Sequence, residues 1–213
     1  MILVSKNPYT AKLFGVELFK INILFKKFLF KAFGIALPKL RDQQKYWSER
    51  GDHYMSAFMD FGYMSREEFF QNLLFEELHK LEFNSLFEAG CGFGWNIRRA
   101  KEEFPDTLIG GLDFSFGQLK NAQNYLAGFN ISPAMGDNRK MPFKNNAFDV
   151  GISIGVFMNI HPHDISEALS ELIRVSRRYV VQLEYDESHT TAALQRARAI
   201  KPNVISHDYE ALY

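Results

Sequence analysis

The stretch "SLFEAGCGFG", residues 85–94, decides the fold of this sequence. An apolar run leads into three glycines at alternate positions, Gly90, Gly92 and Gly94. Glycine loses more backbone entropy on folding than any other residue, so this spacing indicates a chain that turns sharply or lies against another molecule. The stretch therefore predicts a buried strand that ends in a ligand-binding turn.

Strands and helices alternate on both sides of this turn. The apolar pattern predicts helices at 65–79, 95–103, 115–126 and 164–175, and strands at 86–89, 107–112, 130–135, 148–154 and 178–184. Ser65 with Glu68 forms a capping box at the start of the first helix, and Asp164 with Glu167 opens the last. This alternation predicts an α/β fold with an open, mostly parallel sheet and helices on both faces.

The composition is that of an ordinary globular domain. A chain of 213 residues, of which 46% are apolar, is long enough to bury its own core. Cys91 is the single cysteine, which excludes a disulfide framework and a cysteine-based metal site. No secretory signal is visible near the first residue. These features predict a cytoplasmic protein without a bound metal.

Charge divides unequally along the chain. Residues 1–45 carry a net charge of about +7, and residues 46–213 carry about −7. Since the longer part is acidic and the positive charge is confined to one stretch, nucleic acid is not an expected substrate. We therefore divide the chain into a basic helical extension at 1–40, a helical cap at 41–82 and the sheet domain at 83–213.

Residues 11–35 are rich in Phe, Leu and Ile, but charges interrupt them too often for a membrane span. The interrupting charges are Lys12, Glu17, Lys20, Lys26, Lys27 and Lys31. They gather on one side of a helix, which predicts a basic amphipathic helix suited to the anionic inner face of a membrane. Packing of this helix on its own domain, or on a second copy in a homodimer, is the alternative.

The turn fits a cationic nucleoside better than a dinucleotide. A nicotinamide-binding turn would have its third glycine where Trp95 stands, and the Glu88 carboxylate would repel a pyrophosphate. Asp113 follows the second strand, where a carboxylate can accept both hydroxyl protons of a ribose; capping of the next helix, in competition with Ser115, is the alternative. S-adenosylmethionine (SAM) carries an ammonium and a sulfonium and no phosphate, so it is the predicted cofactor.

Four segments in order resemble the class I SAM-dependent methyltransferases: "FEAGCGFG", "GLDFS", "GDNRKMPFKNNAFDV" and "GVFMNIHP". The resemblance covers residues 83–185 and is strongest to the small-molecule branch of the ubiquinone and menaquinone methyltransferases. The chain also resembles, more weakly, the methylases of nonulosonic-acid biosynthesis. The resemblance to class I methyltransferases implies a Rossmann-like fold and methyl transfer to a small-molecule, sugar or lipid-linked acceptor. A non-catalytic SAM-binding scaffold is the alternative, and a nicotinamide oxidoreductase is less favoured.

The resemblance also implies roles for single residues. The turn, with Glu88, Gly90, Cys91, Gly92 and Gly94, would lie under the methionine part of SAM, and Cys91 is interpreted as a small apolar filler. Asp113 would bind the ribose. Phe114 would flank the adenine, and Asp137 with Asn138 would approach its amino group. Ile154 is a further candidate for cofactor binding.

Three expectations concern the rest of the site. His161, after the fourth strand, is the candidate catalytic base, although a loop histidine is more often solvated. Tyr46 and Trp47 are candidates for a lid over SAM, with core packing as the alternative. The chain ends at Tyr213 without the strand hairpin typical of the family, which predicts a shortened sheet edge covered by another element or chain, or a fragment with weakened activity.

Overall fold

The computed structural model describes residues 12–13, 16–35, 39, 42–60, 64–201 and 203–213. The strands are β1 (Lys12–Leu13), β2 (Val16–Glu17), β3 (Ser85–Ala89), β4 (Leu108–Asp113), β5 (Ala134–Met135), β6 (Phe148–Ile154) and β7 (Ser176–Leu183). The helices are α1 (Leu18–Phe33), α2 (Gln43–Asp60), α3 (Met64–Leu78), α4 (Trp95–Glu103), α5 (Phe116–Tyr125), α6 (Ile165–Val175), α7 (Ala192–Ala199) and α8 (Tyr209–Leu212), with a 3-10 turn at Phe157–Asn159.

Five strands form one sheet in the order β5-β4-β3-β6-β7, and every neighbouring pair in it is parallel. β3 lies at the centre, where Leu86 aligns with Ile109 of β4 on one side and Val150 of β6 on the other. The chain winds outward from β3 to β5 and then returns to the far side of β3. The winding direction therefore switches beside the glycine turn, which is where open α/β sheets bind ligands.

Apolar side chains cover both faces of this sheet. On β3, Leu86 packs into a buried cluster with Phe75 and Ile97, and Phe87 packs into a second cluster with Leu172. Successive side chains of a strand point to opposite faces, so one buried strand supplies both clusters. The predicted Rossmann-like α/β fold with helices on both faces is confirmed.

Several boundaries match the sequence predictions, and two predictions about β5 and α3 are wrong. The strand expected at 130–135 is only Ala134–Met135, because Asn130 has a left-handed φ of 54° and Pro133 has no N–H to donate to a ladder. The capping box is also wrong, since α3 already contains Met64 and Ser65 lies inside it.

The chain returns toward the sheet after β7. The described residues beyond β7 form α7 and α8 and no strand hairpin. Tyr209 and Leu212 of α8 pack against the second cluster beside Val180 of β7. The C-terminal segment therefore supplies part of the cover near this edge strand.

α1 lies ahead of the sheet domain and is exposed along much of its length. None of the helices in the described ranges has the length and apolar composition of a membrane-spanning segment. The amphipathic helix predicted within residues 11–35 is wrong at its start, because Lys12–Leu13 and Val16–Glu17 pair as short antiparallel strands and α1 begins at Leu18. Residues 11, 14 and 15 of that stretch lie outside the described part. The division of the chain at 40 and 82 stays a prediction.

α2 packs so closely on the start of α5 that glycine is required on both sides. A β-carbon on Gly117 would lie 2.6 Å from the backbone nitrogen of Asp52, and one on Gly51 would lie 2.2 Å from the Ser115 Oγ. Asn121 also donates its side-chain amide to the Gly51 carbonyl at 3.1 Å. These contacts fix α2 over the carboxyl ends of the strands.

Gly117→Ala is expected to destabilise the protein, because the new methyl group meets the α2 backbone. Alanine in place of glycine inside a helix normally stabilises by up to about 1 kcal/mol. Overpacking here should instead lower the free energy of unfolding by about 1–3 kcal/mol, measured by urea denaturation. Asn124→Ala, at an exposed position of the same helix, is the control and should be neutral or stabilising. A Gly117→Ala variant more stable than the parent would show that α2 is not held in this way.

Candidate functional site

A cavity of about 470 Å³ opens at the carboxyl ends of the central strands. Its walls come from the glycine turn after β3, the end of β4, the loop after β6 and the helices α2 and α3. Ligand pockets commonly measure about 300–1,000 Å³, so the cavity has the size of a small-molecule site.

The glycine turn is held open by backbone conformation and by one carboxylate. Gly90, Gly92 and Gly94 have φ values of 72°, 55° and 89°, which side chains rarely adopt. Asp113 accepts the Gly92 N–H at 2.9 Å and the Ser115 N–H at 2.8 Å. Asp113 therefore links the ends of β3 and β4, and burial raises its pKa. Helix capping is done by Ser115, whose side chain accepts the Gln118 N–H.

Glu88 is a buried acid beneath the turn. Its side chain is 2% exposed, and Oε1 accepts the Asn96 amide at 2.7 Å, while Oε2 has no partner. The pKa of Glu88 is raised to about 8, chiefly by burial and also by the nearby Asp113, while the Asn96 bond opposes the shift. A cation placed at Oε2 would stabilise the carboxylate and relieve this cost.

Buried polar atoms without partners concentrate around the cavity. Four such side-chain atoms belong to described cavity-lining residues: Glu88 Oε2, Trp95 Nε1, Gln118 Oε1 and Asn138 Oδ1. Three of the four are acceptors. A buried acceptor without a donor destabilises the fold, so this wall is suited to a ligand rich in N–H and O–H groups. SAM has such groups in its ammonium, its ribose hydroxyls and its adenine amino group.

Asp137 stands in the wall but is engaged by a neighbour. Arg139 donates to both of its oxygens, the shortest of these bonds being 2.7 Å, and also reaches Asp164 at 3.3 Å. Burial raises the pKa of Asp137, but the bonds from Arg139 outweigh this effect and hold the pKa below its usual value. The adjacent Asn138 is buried with Oδ1 unpartnered, which leaves it the freer acceptor of the two.

Glu184, at the end of β7, shapes the loop after β6. Its carboxylate accepts the backbone N–H groups of Val156, Phe157 and Met158 at 3.0–3.1 Å, and the Ser153 hydroxyl at 3.0 Å. Burial raises the pKa of Glu184 in spite of these bonds. Glu184 therefore fixes the loop after β6, and the sequence analysis did not identify this role.

His161 lies in this loop and lines the cavity. Its Nδ1 accepts the backbone N–H of His163 at 3.2 Å. An imidazole that accepts at Nδ1 carries its proton at Nε2, so in this arrangement His161 presents a donor. The contact favours a hydrogen-bonding role over that of a ready base.

The two lid candidates differ in their surroundings. Trp47 lines the cavity and Tyr46 is buried behind it, with the two rings 5.2 Å apart and edge to face. Further along α2, Tyr54 and Phe58 also line the cavity and pack on Phe93 of the glycine turn. α2 is thus one wall of the site, built on aromatic contacts.

Most predicted site residues meet at the cavity. Those lining it are Glu88, Gly90, Cys91, Gly92, Asp113, Phe114, Asp137, Asn138, Ile154, His161 and Trp47. Gly94 and Tyr46 do not: Gly94 precedes α4, where a β-carbon would meet Leu126 at 2.8 Å. Cys91 is buried and its Sγ lies against Gly111, and burial raises the pKa of the thiol, which suits an apolar filler. The sequence analysis missed Gln43, Gln71, Asn96 and Gln118, which lie on helices without a motif.

Comparison with known families adds an independent observation. The family model of the methyltransferase domain matches residues 86–179. Over these residues the chain is similar to the class I SAM-dependent methyltransferases. The cofactor of such a domain is SAM. A comparison with curated proteins finds no match.

Solved structures of methyltransferases share the fold of this chain. Magnesium protoporphyrin IX methyltransferase from Synechocystis PCC 6803, solved with S-adenosylhomocysteine, is 17% identical over 79% of this chain and 84% of that chain, with a TM-score of 0.60. Phosphoethanolamine N-methyltransferase 1 from Haemonchus contortus is 18% identical over 68% of this chain and 32% of that one, with a TM-score of 0.55. A protein in complex with the Haloferax volcanii Trm112 methyltransferase activator is 21% identical over 76% and 73%, with a TM-score of 0.54.

Some of these matches cover only part of the solved chain. The match to PH0226 from Pyrococcus horikoshii OT3 spans 57% of that chain, so the chain corresponds to little more than half of that protein's length. At these identities the likeness is one of fold. The narrower resemblances to ubiquinone, menaquinone and nonulosonic-acid methylases stay predictions.

Proposed function

We propose that the protein transfers a methyl group from SAM to a polar small molecule that carries no negative charge. The observation that supports this most is the cavity wall beside the glycine turn, where unpartnered acceptors and a buried acid surround space for a small molecule. SAM supplies an already activated methyl group, so the protein's task is to orient two molecules and to exclude water.

The proposed cofactor site follows the partners that each part of SAM needs. Glu88 Oε2 would accept the ammonium, and Asp113 would accept the ribose hydroxyls beside the turn. Asn138, with its unpartnered Oδ1, would accept the adenine amino group more readily than Asp137, whose oxygens bind Arg139. Phe114 and Ile154 line the same cavity and would flank the adenine.

The acceptor class is inferred from charge. The cavity wall away from the turn includes two acids and several amides, namely Asp42, Gln43, Gln44, Glu67, Gln71 and Asn159. Among the described lining residues, Arg139 is the single Lys or Arg, and it is engaged with Asp137 and Asp164. A phosphate or carboxylate would lack a cationic partner here, whereas hydroxyl and amino groups would find acceptors. Neutral sugars, amino sugars and the head of a lipid-linked sugar that lies free of phosphate fit this wall.

His161 is proposed to contact this acceptor. Its Nε2–H, set by the His163 contact, would donate to an acceptor oxygen and orient it toward the methyl group. A base is needed only when the acceptor loses its proton in or near the slow step.

Calorimetry followed by a turnover assay tests the proposal. We expect SAM to bind, and release of S-adenosylhomocysteine to be seen with neutral or amino sugars but not with their phosphate esters. Binding of SAM without turnover of any acceptor would favour the non-catalytic scaffold. Turnover of the phosphate esters but not of the corresponding neutral or amino sugars would contradict the proposed acceptor class.

His161→Ala serves as the control for the acceptor side. It should raise the acceptor KM or lower kcat by roughly 10- to 100-fold, the effect of one lost hydrogen bond, and leave the SAM affinity unchanged. A variant that lost SAM affinity instead would place His161 on the cofactor side of the cavity.

A further inference from the structure

α1 presents an apolar face that the described residues leave uncovered. Five large side chains on it are exposed: Leu18, Ile21, Leu24, Phe25 and Phe28. Leu24, Phe25 and Phe28 are 63%, 56% and 59% exposed. Side chains of this size are normally buried, and a contiguous exposed group of them marks an interaction surface.

The five side chains form one stripe. At 100° per residue they fall within about 120° of the helix circumference, the width of a buried face in an amphipathic helix. α1 has 16 residues and is therefore about 24 Å long, which is shorter than the ~30 Å core of a bilayer. The stripe can lie in an interface plane, and α1 is too short to span a bilayer core.

Cations border the stripe. Lys27 and Lys31 are exposed. At 100° per residue, Lys27 lies about 60° around the helix from Leu24, and Lys31 lies about 60° from Phe28, both on the same side of the stripe. The pKa of Lys201 is lowered by burial and then by three positive neighbours, Arg66, Arg198 and Lys27, against the opposing effect of Glu67. This edge of the protein is therefore a positive region beside an apolar one.

We infer that α1 docks in the plane of an anionic lipid bilayer, with the apolar stripe in the headgroup boundary and the lysines on lipid phosphates. An apolar stripe with cations at its border matches both parts of such a surface. A second copy of the chain matches less well, because pairing two stripes would bring Lys27 and Lys31 of each copy toward like charges. The inference does not depend on the proposed function, since docking requires no methyl transfer.

Vesicle sedimentation of the full chain tests the inference. The protein should pellet with vesicles of phosphatidylcholine and phosphatidylglycerol, remain in solution with phosphatidylcholine alone, and be released by high salt. Leu24→Ser, Phe25→Ser and Phe28→Ser together should reduce the partition coefficient by at least roughly 10-fold, and so should Lys27→Glu with Lys31→Glu. Because these side chains are exposed, thermal melting should be unchanged.

The matched control removes apolar surface elsewhere. Leu108→Ser with Ile173→Ser replaces exposed residues of β4 and α6 and should pellet like the parent. Failure of the parent to pellet, or equal pelleting of all variants, would overturn the inference. A dimer that forms without vesicles, and that the triple serine variant dissociates in light scattering, would also overturn it, because the stripe would then be covered by a second copy.

Discussion

Asp113→Asn is expected to weaken SAM binding by at least about 100-fold, or about 2.7 kcal/mol. In the parent, the carboxylate accepts the N–H groups of Gly92 and Ser115, and we propose that it also accepts the ribose hydroxyls. The asparagine amide has one oxygen and one NH₂ group. Either a backbone N–H or a ribose hydroxyl would therefore lose its acceptor and face the NH₂ group instead. The measurement is calorimetric titration with SAM.

Asp149→Asn is the matched control for this prediction. Asp149 is a buried acid at the opposite end of the sheet, where it accepts the Asn84 N–H at 2.9 Å and pairs with Arg177. The Asp149→Asn variant should have a lower melting temperature, and the SAM affinity of its folded form should be unchanged. Equal losses of affinity in both variants would show that Asp113 acts through general stability, and unchanged affinity in Asp113→Asn would refute the ribose role.

The central part of the fold could be predicted because local signals and burial agree there. β6 is apolar throughout, and the glycines mark the end of β3, so the predicted ends of β6 and α4 match the structure. β5 was predicted too long because Asn130 and Pro133 act through backbone conformation and a missing donor, which an apolar pattern does not register. Ser65 has the residue type of a cap, but the described helix begins before it.

The candidate site was predictable where it lies on the turn and not where it lies on helices. Asp113 follows a strand end, and parallel strands bring such ends together. Gln71, Asn96 and Gln118 reach the site through the rotation of α3, α4 and α5 about their axes, which depends on packing between elements distant in sequence. Glu184 was missed for a similar reason, since its four donors lie in another segment.

Binding of SAM at about pH 7 is expected to release close to one proton, and replacement of Glu88 by glutamine is expected to abolish this release. The pKa of Glu88 is raised to about 8, so the carboxyl group of the free protein is mostly protonated at neutral pH. An ammonium placed at Oε2 would favour the ionised form and expel the proton. Calorimetry at one pH in buffers with different ionisation enthalpies measures the number released.

The same shift predicts a stability effect with a definite sign. Glu88 has a folded-state pKa above its ordinary value of 4.5, so the folded state holds the proton more tightly than the unfolded state does. The free energy of unfolding should therefore fall as the pH rises from about 4.5 to about 8 and level off above that. Other acids titrate too, so the quantity to compare is the difference between the parent and Glu88→Gln across this window.

Glu88→Gln separates a cofactor role from a purely structural one. Glutamine keeps the length of the side chain and its bond with Asn96, so the variant should fold and should be relatively more stable at high pH. If Glu88 binds the ammonium, the variant also loses affinity for SAM, and the loss grows as the pH rises toward 8 because the parent gains its carboxylate there. A variant that flattens the pH dependence of stability but binds SAM with parental affinity would mean that Glu88 serves the turn and that another acceptor holds the ammonium.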